Sequence, residues 1–209
     1  MKLIEKIDRE NINSLLINNG QSEMNDTMID FANTVPDIKT IQDLHTLDIA
    51  FYSYFKKSEG YEKFEKTASE IFNRKTVSGC SDICLAIAPI LRFKGVPTIY
   101  VESANIEWIK DLQEGNENMS HMRGHVFLEI FLNNKWYLYD PTFHLVYDNY
   151  DFNNYSLPRN YIAFAKALNS HDLGVYNIND ENQLASSILL YLNINDYNNP
   201  NYESTDTRF

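Results

Sequence analysis

Apolar residues recur at helical spacing in the stretch that begins at Cys80 and ends just before Gly95. Gly95 occupies the position of a helix C-cap, and the β-branched and aromatic residues 96–101 that follow are typical of a strand. A small polar turn, Val77-Ser78-Gly79, leads directly into the helix. The pattern therefore predicts a buried helix with Cys80 at its N-terminus, followed by a strand.

A second pattern predicts a β-hairpin. Two apolar, β-branched and aromatic runs flank Asn133-Asn134, and asparagine tolerates the positive φ of a two-residue turn. With that turn, Phe127 lies opposite Asp140, and His125 shares their face of the sheet. His125 and Asp140 are then diagonal neighbours, roughly 7 Å apart between backbones, within reach of a side-chain hydrogen bond.

These two patterns place a cysteine, a histidine and a carboxylate where nucleophilic chemistry needs them. The free N–H groups and the dipole of a helix N-terminus favour a thiolate, so Cys80 is a candidate nucleophile. His125 is the candidate base and Asp140 the group that orients it. For Cys84, one turn further into the helix, the pattern favours a small buried hydrophobe.

The remaining patterns predict further helices and two irregular segments. The residues 104–122 read as a long connection that leads into His125 and borders the site, with Trp108 as a candidate wall of a substrate groove or an ordinary packing residue. Residues 196–209 are polar, lack periodicity and are expected to fray. The predicted helices are Leu3–Leu16, Leu44 to near Gly60, Tyr61–Arg74, Tyr161–Asn169 and Glu181–Asn193.

Composition narrows the functional classes. The 209 residues suffice for one domain with elaborations. Eighteen basic and 29 acidic side chains give a net charge of −11, which argues against nucleic acid or an anionic membrane as a partner. Two cysteines make no disulfide framework. Without a signal-peptide core or a run of about 18 apolar residues, we expect a soluble, cytoplasmic protein of unknown oligomeric state.

Taken together, Gly79-Cys80, Gly95-Val96-Pro97, Gly124-His125 and Asp140-Pro141-Thr142 resemble the core of the transglutaminase-like superfamily. The resemblance implies an α+β, papain-like fold with a helix packed on an antiparallel sheet, and a Cys80–His125–Asp140 triad. Residues 159–174 are also similar to C-terminal segments of bacterial members. The chain then divides into an N-terminal helical part of the same domain, the catalytic core, a C-terminal helical elaboration and a tail, at 1–75, 76–148, 149–195 and 196–209.

The resemblance implies a cysteine-dependent acyl-transfer enzyme that needs no metal or organic cofactor. Its substrate would be a peptide, a protein or a small amide. The cross-linking enzymes of the family carry an aromatic residue directly after the cysteine, whereas here Ser81 and then Asp82 follow. Both are small and polar, and we expect them to form a hydrated rim with Ser81 against the substrate. That rim favours hydrolysis over transglutaminase-type amine transfer.

Other interpretations use the same residues. Cys80, Cys84, His121 and His125 offer two thiolates and two imidazoles, a ligand count suited to structural zinc, although this leaves Asp140 unexplained. His125 could be a structural histidine, and Asp140 could simply end its strand in an Asx-type turn. The fold could also serve as a catalytically silent binding module.

Overall fold

The computed structural model describes residues 3–58, 62–116, 122–197 and 201–208. Within these residues, six α-helices and ten strands form a mixed α+β fold around a central, mostly antiparallel sheet. The helices are α1 (Asp26–Thr34), α2 (Asp43–Tyr54), α3 (Ala68–Arg74), α4 (Cys80–Phe93), α5 (Ile106–Gln113) and α6 (Ile178–Leu189). The strands are β1 (Ile4–Glu5), β2 (Lys56–Lys57), β3 (Thr76–Val77), β4 (Thr98–Asn105), β5 (Gly124–Leu132), β6 (Lys135–Asp140), β7 (Leu145–Tyr147), β8 (Ser156–Leu157), β9 (Tyr161–Ala167) and β10 (Ser204–Asp206).

The main sheet has the order β1-β9-β4-β5-β6-β7-β10, and β8 pairs with β9. All its pairings are antiparallel except that of β1 with β9. The short strands β2 and β3 form a separate parallel pair. The expected α+β class with a helix on an antiparallel sheet is confirmed.

The helix α4 is the buried centre of the molecule and packs on β4, β5, α1 and α3. It continues through Pro89, and Gly95 at φ +79° ends it. The Val96 N–H donates to the Leu91 carbonyl at 2.9 Å and the Gly95 N–H to Arg92 at 2.9 Å, the pattern of a Schellman cap. These bonds confirm the predicted helix and its C-cap.

Burial divides the apolar side chains between the two faces of the sheet. Tyr100, Val126 and Leu128 pack with α1 to α4 on one face, whereas Val101 and Phe127 pack on the other. Adjacent strand residues point in opposite directions, so the strands are buried on both sides. A third cluster lies beneath α5 and α6.

The C-terminal third differs from its prediction as a helical elaboration. The stretch Tyr161–Ala167, predicted helical, is β9 and lies between β1 and β4. A short run buried on both sides carries no alternation, so periodicity cannot distinguish it from a buried helix. The predicted tail 196–209 contains β10, which pairs with β7 and so extends the sheet.

The N-terminal part is less helical than predicted. Leu3–Leu16 is the strand β1 followed by a 3-10 turn at Ile12–Leu16. The predicted helices on either side of residue 60 are shorter, because α2 ends at Tyr54 and α3 begins at Ala68. Their predicted bounds, Gly60 and Tyr61, lie outside the described residues. Among the described residues no helix is long and apolar enough to cross a membrane.

Candidate active site

Cys80 is the first residue of α4, as predicted, and it is half-buried. Gly79 before it is extended, with φ 172°. The Asp82 carboxylate, in the first turn of the helix, accepts hydrogen bonds from the Ser78 N–H at 2.9 Å and the Ser78 hydroxyl at 2.7 Å. These bonds fix the turn before Cys80. The N–H of Cys80 itself has no intrahelical acceptor at this position and is free to bind an anion.

The hairpin brings His125 and Asp140 together in the predicted register. Asn133 and Asn134 take φ values of 51° and 61°, and Leu132 pairs with Lys135. The His125 Nε2 atom lies 3.0 Å from Oδ2 of Asp140. His125 is 6% exposed and Asp140 is fully buried, so this hydrogen bond is shielded from water.

His125 also interacts with the Cys80 thiol, and this interaction lowers the pKa of the thiol. Since Nε2 faces Asp140, the nitrogen left for Cys80 is Nδ1. The imidazole therefore lies between the thiol and the carboxylate. The three side chains that the sequence singled out are together in one site.

This arrangement favours a thiolate–imidazolium pair. Burial raises the pKa of the Cys80 thiol, but His125 outweighs it through its hydrogen bond and its charge, with help from Lys63 and the Val126 backbone, so that the pKa lies below its ordinary value. Burial lowers the pKa of His125, but the hydrogen bonds to Asp140 and Cys80 raise it from 6.5 to about 9. Cys84 differs, because burial raises the pKa of its thiol well above the ordinary value.

Arg159 is a member of the site that the sequence did not identify. Its guanidinium forms an ion pair with Oδ2 of Asp140 and lies 3.8 Å from the centre of the Phe143 ring. The residue has a left-handed backbone, with φ 60° and ψ 35°, in a turn that follows Pro158. Arg159 already lay before the helix predicted from Tyr161, and its turn residues carry no signal that it reaches Asp140.

Aromatic rings enclose the imidazole of His125. The ring centres of Phe127, Tyr161 and Phe143 lie 4.6, 5.5 and 5.7 Å from that of His125. Phe143 is 48% exposed and therefore marks the side on which the site opens to solvent. The rings exclude water from the imidazole and limit its rotation.

A buried acidic pair lies near the nucleophile. Glu102 on β4 is fully buried opposite Val126, and its burial, with the negative charges of Glu181 and Cys80, raises the pKa of its carboxyl well above the ordinary range. Burial raises the pKa of Glu181 to about 7, against the opposing charge of Lys63. The raised pKa favours the neutral form of Glu102, which lessens its repulsion of a Cys80 thiolate.

The predicted hydrated rim after the cysteine is wrong. Ser81 and Asp82 are only 3% and 2% exposed, and Asp82 forms an ion pair with Lys66 at 2.5 Å. Lys66 lies in the turn before α3. The presence of an acidic residue at a helix N-terminus does not predict that a lysine from another element will cover it. Neither residue is on a solvent-facing rim.

Trp108 is not on an exposed loop. It lies in α5, is 4% exposed, and packs with Met122 and Phe164 in the cluster beneath α5 and α6. Cys80 packs against the separate cluster around α4. This position fits the interpretation of Trp108 as a packing residue. To contact a substrate, Trp108 would first have to become exposed.

The predicted zinc set is incomplete in the structure. His121 lies outside the described residues. The Cys84 thiol faces the Val126 carbonyl at 3.4 Å, while Cys80 faces His125. Among the described residues, no three His, Cys, Asp or Glu side chains are grouped so that they could hold a metal ion.

No protein-family model matches the chain. No curated protein matches it either. A solved structure does: a putative cysteine protease from Cytophaga hutchinsonii is similar with a TM-score of 0.55 and 13% sequence identity. The match covers 81% of this chain and 51% of that one, so this chain spans about half the length of the protein that it resembles. At this identity the likeness shows a shared fold.

Proposed function

We propose that this protein is a cysteine-dependent acyl-transfer enzyme of transglutaminase-like type, and that it hydrolyses an amide or peptide bond. The observation that carries the proposal is the position of His125, which is 3.0 Å from Asp140 and also interacts with the Cys80 thiol, whose pKa it lowers. A histidine with a purely structural role would not need to lie beside a thiol at a helix N-terminus. The similarity to a protein described as a putative cysteine protease agrees with this chemistry.

The first half of the reaction would form a thioester. The Cys80 thiolate attacks the amide carbonyl carbon, a C–S bond forms, and the carbonyl π electrons move to the oxygen. The free N–H of Cys80 donates to that oxyanion. As the C–N bond breaks, the His125 imidazolium gives its proton to the leaving amine, and Asp140 keeps the ring oriented.

The second half would release the acid. A water molecule attacks the thioester while neutral His125 takes one of its protons, and the C–S bond then breaks to regenerate the thiolate. No step requires a group that the described residues lack. All three members of the triad are present, which argues against a silent binding module.

One observation favours amine transfer as the second candidate. The rings of Phe127, Phe143 and Tyr161 around His125 form an apolar wall beside the thioester, where water would be at a disadvantage. Both reactions share the thioester and differ in the nucleophile that resolves it. Partitioning of an acyl-amide substrate with and without cadaverine separates them, because amine transfer predicts capture of most of the acyl group.

The proposal is tested by comparing two cysteine variants on a library of peptide and acyl-amide substrates. Cys80→Ala should abolish turnover and leave the fold intact. Cys84→Ala is the matched control from the same helix and should retain turnover, although removing a fully buried side chain lowers the free energy of unfolding. Full turnover by folded Cys80→Ala would disprove the proposal.

A further inference from the structure

A cavity of about 270 Å³ opens beside the nucleophile. Buried apolar side chains of Phe55, Val77 and Ile83 line it, each 6% exposed. Gly79, the residue before Cys80, and Thr142, two residues after Asp140, also line it. The cavity therefore lies next to the chain segments that carry Cys80 and Asp140.

The far wall of this pocket is fixed to the same structure. Tyr52 from α2 lines it and donates a hydrogen bond to the Pro141 carbonyl at 2.9 Å. Lys57 lies on β2, which pairs in parallel with β3, so that Lys57 is opposite Val77. Both walls are thus held by backbone or side-chain hydrogen bonds, and the pocket is preformed.

The pocket does not touch the side of the site on which a leaving amine would bind. A leaving amine must sit beside His125, which protonates it. Among the described residues that line the pocket, His125 and its surrounding rings do not occur. The part of a substrate that stays bound to Cys80 therefore points towards the pocket, while the leaving group points towards His125.

Size and lining define the occupant. Pockets for drug-sized ligands have volumes of roughly 300–1,000 Å³, so a cavity at the lower limit holds one side chain rather than a whole small molecule. Its floor is apolar, which rewards burial of carbon. Lys57, which is exposed, also lines the pocket, and its positive charge disfavours a cationic side chain.

We propose that this pocket binds a branched aliphatic or aromatic side chain of the substrate residue whose carbonyl Cys80 attacks. The inference rests on the proposed function and adds its substrate class: peptides with leucine-like or phenylalanine-like residues on the acyl side of the scissile bond. Small and basic residues at that position are poor substrates.

The test uses N-acetyl-amino-acid chloromethyl ketones, whose rates of reaction with Cys80 report side-chain binding in the pocket without any turnover. The Cys80 thiolate displaces chloride, so that a C–S bond forms and the C–Cl bond breaks. Each rate is divided by that of iodoacetamide, which carries no side chain. The leucine and phenylalanine ketones should alkylate Cys80 at least about tenfold faster than the alanine ketone, given the gain from burying such a side chain. The lysine ketone should be no faster than the alanine ketone.

Gly79→Val fills the pocket. The backbone there is extended, and a Cβ at Gly79 would have no heavy atom within 4 Å, so a side chain is tolerated. The leucine-to-alanine ratio should fall to below about threefold, because the valine takes the volume that the substrate side chain needs. A ratio that persists in this variant would overturn the proposal.

Lys57→Glu is the second variant, at an exposed position whose replacement leaves the core intact. It should raise the relative rate of the lysine ketone by about threefold, the scale of an exposed ion pair. If iodoacetamide labels Cys80 selectively but all ketones react at equal rates, the pocket assignment is wrong and the proposed function is unaffected. Equal labelling of Cys80 and Cys84 would remove the proposed function and this inference with it.

Discussion

Arg159 donates to Oδ2 of Asp140, the same oxygen that faces the His125 ring. When His125 is protonated, the Asp140 carboxylate therefore interacts with two positively charged side chains, His125 and Arg159. Arg159 is in turn held by its stack on Phe143. We infer that Arg159 is a positioning residue: it fixes the carboxylate and moderates how strongly Asp140 stabilises the imidazolium.

Replacing Arg159 should therefore change both rate and pH dependence. In Arg159→Gln we expect kcat/KM to fall by about 10- to 100-fold, the scale of a small misplacement of a catalytic group. The alkaline limb of the pH profile should move to higher pH, because Asp140 then interacts with the imidazolium without a competing cation. Steady-state kinetics across pH measures both effects.

Arg159→Lys is the control that keeps the charge and loses the planar stack and the fixed geometry of the guanidinium. It should restore the position of the alkaline limb and only part of the rate. A purely structural role for Arg159 would leave the limb where it is in both variants. An unchanged profile in folded Arg159→Gln would contradict the positioning role.

The pKa of His125, raised from 6.5 to about 9, predicts where activity ends. As the pH rises through about 9 the imidazolium loses its proton and can no longer protonate the leaving amine, so hydrolysis should decline. Alkylation by iodoacetamide needs only the thiolate and should not decline over the same range. A hydrolysis plateau that continues well above pH 9 would contradict the assigned role of His125.

The two cysteines should differ strongly in reactivity. His125 lowers the pKa of the Cys80 thiol, whereas burial raises that of Cys84 well above the ordinary value. At neutral pH iodoacetamide should therefore modify Cys80 first, with Cys84 protected until the protein unfolds. Peptide mapping by mass spectrometry over time measures this order. His125→Ala should slow the modification of Cys80, and joint protection of both thiols by bound zinc would contradict the assignment.

The ion pair of Lys66 with Asp82 should contribute to stability. Both side chains are almost fully buried, at 5% and 2% exposure, so Lys66→Met leaves a buried carboxylate without its cation. We expect a loss of about 3–5 kcal/mol in the free energy of unfolding, measured by urea denaturation. Lys135→Met is the matched control, because its ion pair with Asp148 is exposed and its loss should change the free energy of unfolding far less. Similar losses in both variants would show that the buried pair has no special role.

The positions of Cys80, His125 and Asp140 in their elements could be predicted from the sequence because each depends on local geometry. The Asn133-Asn134 turn fixes the parity of the hairpin, and parity alone places His125 and Asp140 on one face. The start of α4 follows from the polar turn and the apolar periodicity behind it. These constraints are local. They do not show that the start of α4 meets the hairpin, which was expected only from the resemblance.

What the sequence did not reveal depends on distant contacts. Asp82 was expected at a hydrated rim, but Lys66 covers it from another element. Arg159 reaches Asp140 only because β9 joins the sheet next to β4, and that strand was predicted as a helix. Its apolar run fits either element until its neighbours are known.

The outermost strands of the main sheet are very short. Strands β1 and β8 have two residues each and β10 has three, whereas β4 and β5 inside have eight and nine. A long, exposed outer strand offers a row of unpaired amide and carbonyl groups on which another chain can add. Here that row is too short to template a foreign strand, so the sheet that carries the site is protected from edge-to-edge aggregation.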